Sequence, residues 1–245
     1  MNTVKCHEYM KYSLKCQKLI ISAIMSIHHL DPRSTNEVAR PRLPSSVLFA
    51  FGGWSGASPT NAMECYDSRA GAWVNVTVTG EIPRAYHGTA FYRGYVFIVG
   101  GFDGLEFFKS VRRFDPVGVI WQEAECDSVH LTYGLMSMCT QVGGFDGVNR
   151  QGTVEVYLED VNSWSLVPSM LNPRSNFGLE VVDDVIVVAG GFNGYGTIRN
   201  VEGYDYKSRR WNNLMEMAVN RSALSCCVAD DLPNVDVYAA PRDVR

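Results

Sequence analysis

The chain has 245 residues, 46% hydrophobic, 20% charged and 11% aromatic, with a formal net charge of −4. That length buries a sizeable core, the apolar fraction excludes a disordered chain, and no apolar run reaches the ~20 residues of a membrane span. The balance of 22 Lys+Arg against 26 Asp+Glu lacks the basic face of a nucleic-acid binder.

Four lysines stand in the first 20 residues, ahead of the apolar run from Leu19 to Ile27. This has the outline of a signal peptide, but His28-His29-Leu30 occupies the place of the small cleavage-site residues. Cys16, Ile20, Ile24 and Ile27 recur at helical spacing and predict an amphipathic helix within 1–30. Prolines at 32, 41 and 44 then break the helix and extend the chain, so 31–46 is a linker. The seven cysteines (Cys6, Cys16, Cys65, Cys126, Cys139, Cys226, Cys227) are odd in number and contain no C-x-x-C pair, which points to reduced thiols in a cytoplasmic protein. On that reading the triplets beginning at Asn75 and Asn220 are chance glycosylation motifs.

From residue 47 the composition changes. Residues 1–51 contain no glycine, whereas all 22 glycines lie between Gly52 and Gly203. Four Gly-Gly pairs (Gly52-Gly53, Gly100-Gly101, Gly143-Gly144, Gly190-Gly191) are spaced 48, 43 and 47 residues apart. An aromatic follows each one: Trp54, Phe102, Phe145 and Phe192. Fourteen residues after the first glycine comes Tyr66, Phe114, Tyr157 or Tyr204, and seven further on Trp73, Trp121, Trp164 or Trp211. Apolar runs Val47–Phe51, Tyr95–Val99 and Val185–Ala189 precede three of the pairs and read as buried strands. Glycines at their ends permit close approach of a neighbouring strand, and the Tyr/Phe and Trp positions read as packing. Pro83-Arg84 and Pro173-Arg174 each place an arginine 16 residues ahead of a Gly-Gly, followed by a strand and a hairpin turn at Arg93-Gly94 or Asp183-Asp184. Each unit is therefore four strands, A to D, with the Gly-Gly pair closing strand B.

This pattern resembles the kelch repeat family, in which a repeat of about 50 residues forms one four-stranded propeller blade. The resemblance implies an all-β fold, a kelch-type β-propeller with four recognisable blades (47–79, 80–126, 127–169, 170–217) preceded by a short α-helical segment. Arg221–Ala229 reads as a further strand A, so that 218–229 completes the first blade and 230–245 is a tail. The third blade is degenerate: Asp127 stands in place of the arginine, 22 residues separate Trp121 from Gly143 against 27 and 26 elsewhere, and Leu158 replaces the acid that follows Tyr66, Phe114 and Tyr204. Helix, Pro-Arg-Leu-Pro and first strand resemble the junction of BACK helices and propeller in kelch-like ubiquitin-ligase adaptors. In those proteins a BTB domain binds a cullin scaffold and the propeller holds the substrate.

The resemblance implies a protein substrate on the propeller loop face, and a cullin-type ligase as partner only if a longer form supplies a BTB domain. Carried over residue by residue, the contact positions are Trp54, Phe102, Phe145 and Phe192; Phe107, Arg150 and Thr197; and Arg84, Arg174, Ser175, Asn176, Arg221 and Ser222. No catalytic constellation, metal set or cofactor motif emerges. His87 is expected on strand A as a packed or rim residue, and Asp103 and Asp146 occupy equivalent loop positions for architectural reasons. The chain reads as a binding module and not an enzyme. A filament-binding scaffold, an exported oxidase-like propeller and a truncated copy without function stand open beside it.

Overall fold

In a computed structural model the chain divides into two units, Met1–Arg42 and Leu43–Arg245. The structure describes residues 43–124, 140–158 and 162–241, together with Lys18. The expected helix over 1–30, the start of the linker, and strand A of the third repeat fall outside the described residues.

Strands follow one another in the order β1 (Ser46–Phe51), the small pair β2 (Trp54–Ser55) and β3 (Ser58–Pro59), β4 (Met63–Asp67) and β5 (Ala72–Asn75). Next come β6 (Gly88–Tyr92), β7 (Tyr95–Val99), β8 (Val111–Asp115) and β9 (Ile120–Ala124). The third repeat supplies β10 (Thr140–Phe145), β11 (Arg150–Leu158) and β12 (Ser163–Val167). The fourth supplies β13 (Gly178–Val182), β14 (Val185–Ala189), β15 (Val201–Asp205) and β16 (Arg210–Leu214), and β17 (Ser225–Asp230) ends the series. They form antiparallel sheets: blade I (β17-β1-β4-β5), blade II (β6-β7-β8-β9), blade IV (β13-β14-β15-β16) and, among the described residues, a three-stranded blade III (β10-β11-β12). These are blades of a kelch-type propeller. Strand β17 pairs antiparallel with β1 in blade I, with Ser46 opposite Asp230 and Phe51 opposite Ser225.

The repeat landmarks explain the local structure. The turns after β6 and β13 place both central residues at positive φ: Arg93 and Gly94 at 48° and 82°, Asp183 and Asp184 at 49° and 64°. The acid after Tyr66, Phe114 and Tyr204 caps the next turn. Asp67 Oδ1 accepts N–H from Arg69 and Ala70, Asp115 Oδ1 from Val117 and Gly118, and Asp205 Oδ1 from Lys207. Tyr66 and Trp73, Phe114 and Trp121, and Tyr204 and Trp211 are cross-strand neighbours with ring centroids 5.1–5.3 Å apart. The Tyr157 side chain lies outside the described residues, and Trp164 opposite it is half exposed.

Three buried clusters join the blades. Phe49, Phe51 and Met63 of I meet Val96, Ile98 and Phe114 of II. Leu48, Ala50 and Tyr66 of I meet Val187 and Val201 of IV, while Val188, Tyr204 and Trp211 of IV meet Val154 of III. Indole N–H groups tie the same boundaries, Trp73 to the Met215 carbonyl at 2.9 Å and Trp211 to the Pro168 carbonyl at 2.7 Å.

A backbone bond repeats at each of these junctions. The second glycine of a pair donates to the carbonyl of the repeat arginine in the next blade: Gly53 to Arg84 at 2.7 Å, Gly144 to Arg174 at 2.9 Å, Gly191 to Arg221 at 2.9 Å. This approach leaves no room for a side chain on the preceding glycine. A Cβ on Gly52 would stand 2.2 Å from the Arg84 carbonyl oxygen, and one on Gly190 2.5 Å from that of Arg221. Blade I thus sits between II and IV, and IV between I and III.

Two expectations are corrected. Strand A starts later than the arginine landmark implies: β17 begins at Ser225 and β6 at Gly88. The residue two after each arginine breaks the strand with positive φ, at Tyr86 (58°), Asn176 (54°) and Ala223 (51°). These residues are linked across blades, Tyr86 N–H to the Ala223 carbonyl and Ala223 N–H to the Asn176 carbonyl. His87 therefore lies ahead of the strand, buried. The C-terminal segment is also no free tail. A short 3-10 helix, Val235–Tyr238, brings Tyr238 fully into the I/II core, 4.9 Å from Phe49, with its hydroxyl on the Pro116 carbonyl at 2.5 Å.

Candidate functional site: the loop face

The loops between strands B and C, and those entering strand A, share one end of the blades. Each B–C loop is a small hairpin closed by its aromatic: Trp54 opposite Pro59, Phe102 opposite Phe107, Phe145 opposite Arg150, Phe192 opposite Thr197. An Asx turn shapes the tip of three of them. Asp103 Oδ1 accepts from Leu105 and Glu106, Asp146 Oδ1 from Val148 and Asn149, and Asn193 Oδ1 from Tyr195 and Gly196. These N–H groups hold the Asp103 and Asp146 carboxyls below their ordinary range. The two acids are turn-formers, each busy in its own loop.

The stems are themselves tied down. Phe102 exchanges two backbone bonds with Ala85, and Phe192 two with Ser175, while Trp54 does the same with Ser222. Rings then meet across blades: Trp54 and Phe102 are stacked with centroids 6.2 Å apart and planes at 4°. Arg150 bridges the other side, its guanidinium 3.8 Å from the Phe145 ring and 5.1 Å from the Phe192 ring of the next blade.

The expected contact residues divide by exposure. Phe107, Phe145 and Asn176 are exposed; Trp54, Phe102, Arg150, Phe192 and Thr197 are half-buried. Ser175 and Ser222 are buried in the stems. The arginines depart most from expectation. Arg174 and Arg221 are fully buried, and their guanidinium groups are occupied within the fold. Arg174 donates to the Gly190 and Asn200 carbonyls at 2.9 and 2.8 Å and to the Glu202 carboxylate. Arg221 donates to the Gly52 and Ala62 carbonyls at 3.2 and 2.8 Å and to Glu64 at 2.6 Å. Arg84 binds the Gly100 carbonyl at 2.8 Å and covers the Phe108 ring at 4.0 Å. The three arginines are braces under the loops, because the carbonyls that a Gly-Gly corner leaves unpaired need a donor.

Sequence reading passed over what the loops present instead. Leu105, Val148 and Tyr195, each five residues after the first glycine, are 92%, 81% and 98% exposed. The signal was available as a recurrent apolar residue just after Asp-Gly or Asn-Gly, three residues beyond the aromatic. Between loops III and IV a groove of about 700 Å³ is lined by Phe145, Val148, Arg150, Pro173, Phe192 and Tyr195 among others. Among the described residues no group of three His, Cys, Asp or Glu side chains is placed to hold a metal.

Blades of this construction define a kelch propeller, and the sequence comparisons agree. The Kelch motif family model matches residues 46–77, 83–125, 142–171 and 173–218, and the chain belongs to the kelch-repeat family, whose propellers are protein-interaction domains. It is similar to the Caenorhabditis elegans Kelch repeat and BTB domain-containing protein F47D12.7, with 31% identity over 73% of this chain and 33% of that protein. Kelch-like protein 36 of Rattus norvegicus is 26% identical over 78% of this chain and 33% of its own length. Kelch-like protein 7 of the same species is 38% identical over 33% of this chain and 14% of its own. The chain spans about a third of the length of the first two.

Proposed function

We propose that this chain is a protein-binding module whose B–C loop tips hold a protein partner, and that it serves as the substrate-recognition part of a cullin-type ubiquitin-ligase adaptor. The observation that carries the binding role is the exposure of Leu105, Val148 and Tyr195 at one register position on hairpins fixed by Asx turns and buried stems. Large apolar side chains held in water on a braced frame favour association over any role in folding, and aromatic anchors are what binding hot spots favour. The adaptor role rests on likeness to kelch-like proteins, one of which carries BTB in its name. Cullin recruitment would then require a BTB domain in a longer form, and the setting would be cytoplasmic. No step of the role calls for a catalytic group.

The test is retention of cellular partners by the full chain and by a Leu105→Ser/Val148→Ser/Tyr195→Ser variant, compared by quantitative mass spectrometry. Selective loss of a defined set of proteins, at unchanged near-UV circular dichroism, is the expected result. An unchanged retained set overturns the assignment.

A further inference from the structure

Blade II departs from blades I and IV at one register position, two residues before the Tyr or Phe of its third strand. Glu64 and Glu202 stand there in I and IV, and Arg112 stands there in II. In I and IV the carboxylate gathers a recurrent set of donors. Glu64 receives Arg221 Nη2 at 2.6 Å and the Ala218 N–H at 2.7 Å. Glu202 receives Arg174 Nη2 and the Leu171 and Asn172 N–H groups, the last two at 2.7 and 3.0 Å. The corresponding donors of blade II are Arg84 Nη2 and the N–H groups of Glu81 and Ile82, three and two residues before the arginine. Arg84 Nη2 reaches the Ser110 hydroxyl at 3.3 Å, and no described residue accepts the two N–H groups.

Arg112 brings a second guanidinium to the place of the carboxylate. Its Nη2 lies on Glu81 at 2.5 Å, its Nη1 is 3.8 Å from the exposed Glu123, and its Nε is buried without a partner. Both arginines line a cavity of about 30 Å³ between blades I and II, together with Thr60, Asn61, Glu81 and His87. Two guanidinium groups there face one carboxylate, and burial keeps His87 neutral at pH 7. The two positive charges oppose each other. Burial lowers the Arg84 pKa and the Arg112 charge lowers it further, with Glu81 and Asp103 offsetting part of the shift.

We infer that this cavity binds one small monovalent anion of the halide class, chloride under ordinary conditions, in place of the carboxylate that blades I and IV supply themselves. Its volume exceeds the ~10–15 Å³ that a water needs and admits a single ion of chloride's size. One unbalanced positive charge suits one monovalent ion. A phosphate carries nearly twice that charge and several oxygens, which suit neither the charge nor the space. Donors without acceptors, guanidinium and backbone N–H alike, are the chemistry that holds an anion out of water. The Arg112 and Glu81 side chains keep 22% and 20% of their surface in solvent, which gives the ion a route in. Thr60 and Asn61 belong to I and both arginines to II, so relief of the repulsion strengthens the junction between these blades.

The experiment follows thermal unfolding of the full chain in chloride, bromide, gluconate and sulfate at one ionic strength, together with the line width of the chloride NMR signal. A Glu81→Ala/Arg112→Glu variant serves as control, since it gives blade II the Ala218 and Glu64 arrangement of blade I. The wild-type protein should unfold about 2–4 °C higher in ~150 mM chloride than in gluconate. Bromide should act like chloride, although general salt effects favour sulfate. The double variant should lose the difference between chloride and gluconate. In solution the wild-type protein should broaden the chloride line and added bromide should narrow it, a readout that needs no variant to fold. Equal unfolding temperatures in chloride and gluconate with no broadening would overturn the site. A chloride shift undiminished in the double variant would place the ion elsewhere and overturn the assignment. Sulfate stabilisation that the double variant alone loses, without a chloride effect, would overturn the monovalent class.

Discussion

Arg221 Nη2 lies 2.6 Å from Glu64 Oε2, both side chains buried, although the two residues stand 157 positions apart in the chain. The bond sits beneath the Gly52-Gly53 corner and joins the last stretch of the chain to the first blade. Glu64 also accepts the Ala218 N–H at 2.7 Å, and Glu202 repeats the arrangement with Arg174 and the Leu171 N–H. Burial lowers the Arg221 pKa, and Glu64 offsets part of that shift. Removing one partner strands the other. Glu64→Ala is expected to lower stability by about 3–5 kcal/mol in urea unfolding, and an apolar pair at both positions should recover part of that loss. A change below about 1 kcal/mol would show that the pair is not a brace.

The C-terminal segment is expected to behave as core. Tyr238 is fully buried between Phe49 and Pro116, so Tyr238→Ala should cost about 3–5 kcal/mol. Tyr238→Phe should cost only about 1 kcal/mol, because Asn234 Nδ2 also donates to the Pro116 carbonyl, at 2.9 Å. Equilibrium unfolding of the two variants separates packing from hydrogen bonding.

A buried histidine and a half-buried glutamate set opposing pH dependences. Burial, reinforced by Arg84 and Arg221, lowers the His87 imidazole from 6.5 to about 4, against a smaller opposing effect of the Phe51 backbone. The unfolded chain takes up this proton first, so stability falls as the pH drops from 6.5 towards 4, by roughly 3 kcal/mol in full. Burial raises the Glu180 carboxyl from 4.5 to about 7, so here stability falls as the pH rises through that interval. Unfolding measured from pH 4 to 8 should show His87→Gln flattening the acid side and Glu180→Gln flattening the neutral side. Parallel curves for wild type and both variants would contradict this.

Burial pushes the Cys65 and Cys226 thiols up to about 12 and that of Cys227 well above its ordinary value. All three are free and buried. Alkylation of the native protein followed by peptide mapping should leave these three unmodified until denaturant is added, since the thiolate is the reactive form. Modification of any of them within minutes under native conditions would show an open core.

Much of the fold was legible because its landmarks are repeated. A Gly-Gly pair, a Tyr or Phe and a Trp at fixed offsets are each set by a steric demand, so strands β7 and β14 fall on the residues their apolar runs imply. The site was less legible. Proximity of Arg174 to a loop does not say which way its side chain points, and only the Glu two residues before Tyr66 and Tyr204 signals a buried partner. Blade II shows the rule by breaking it. Arg112 occupies that position there and pairs with Glu81 at 2.5 Å, and Arg84 covers Phe108 without a carboxylate of its own. Tyr238 was missed because its short segment follows the repeats and carries none of their landmarks, although Leu232, Val235 and Val237 are apolar too, and its burial depends on a pocket assembled from distant strands.

The most direct test of the loop-face assignment is site-specific photo-crosslinking in cells. A benzophenone amino acid replaces Tyr195 at a loop tip or, separately, Lys207 in the β15–β16 turn at the opposite end of blade IV. The predicted result is a discrete protein adduct from position 195 that position 207 does not give. An adduct confined to position 207, or none from position 195 in the folded protein, would contradict the assignment of the loop face as the binding surface.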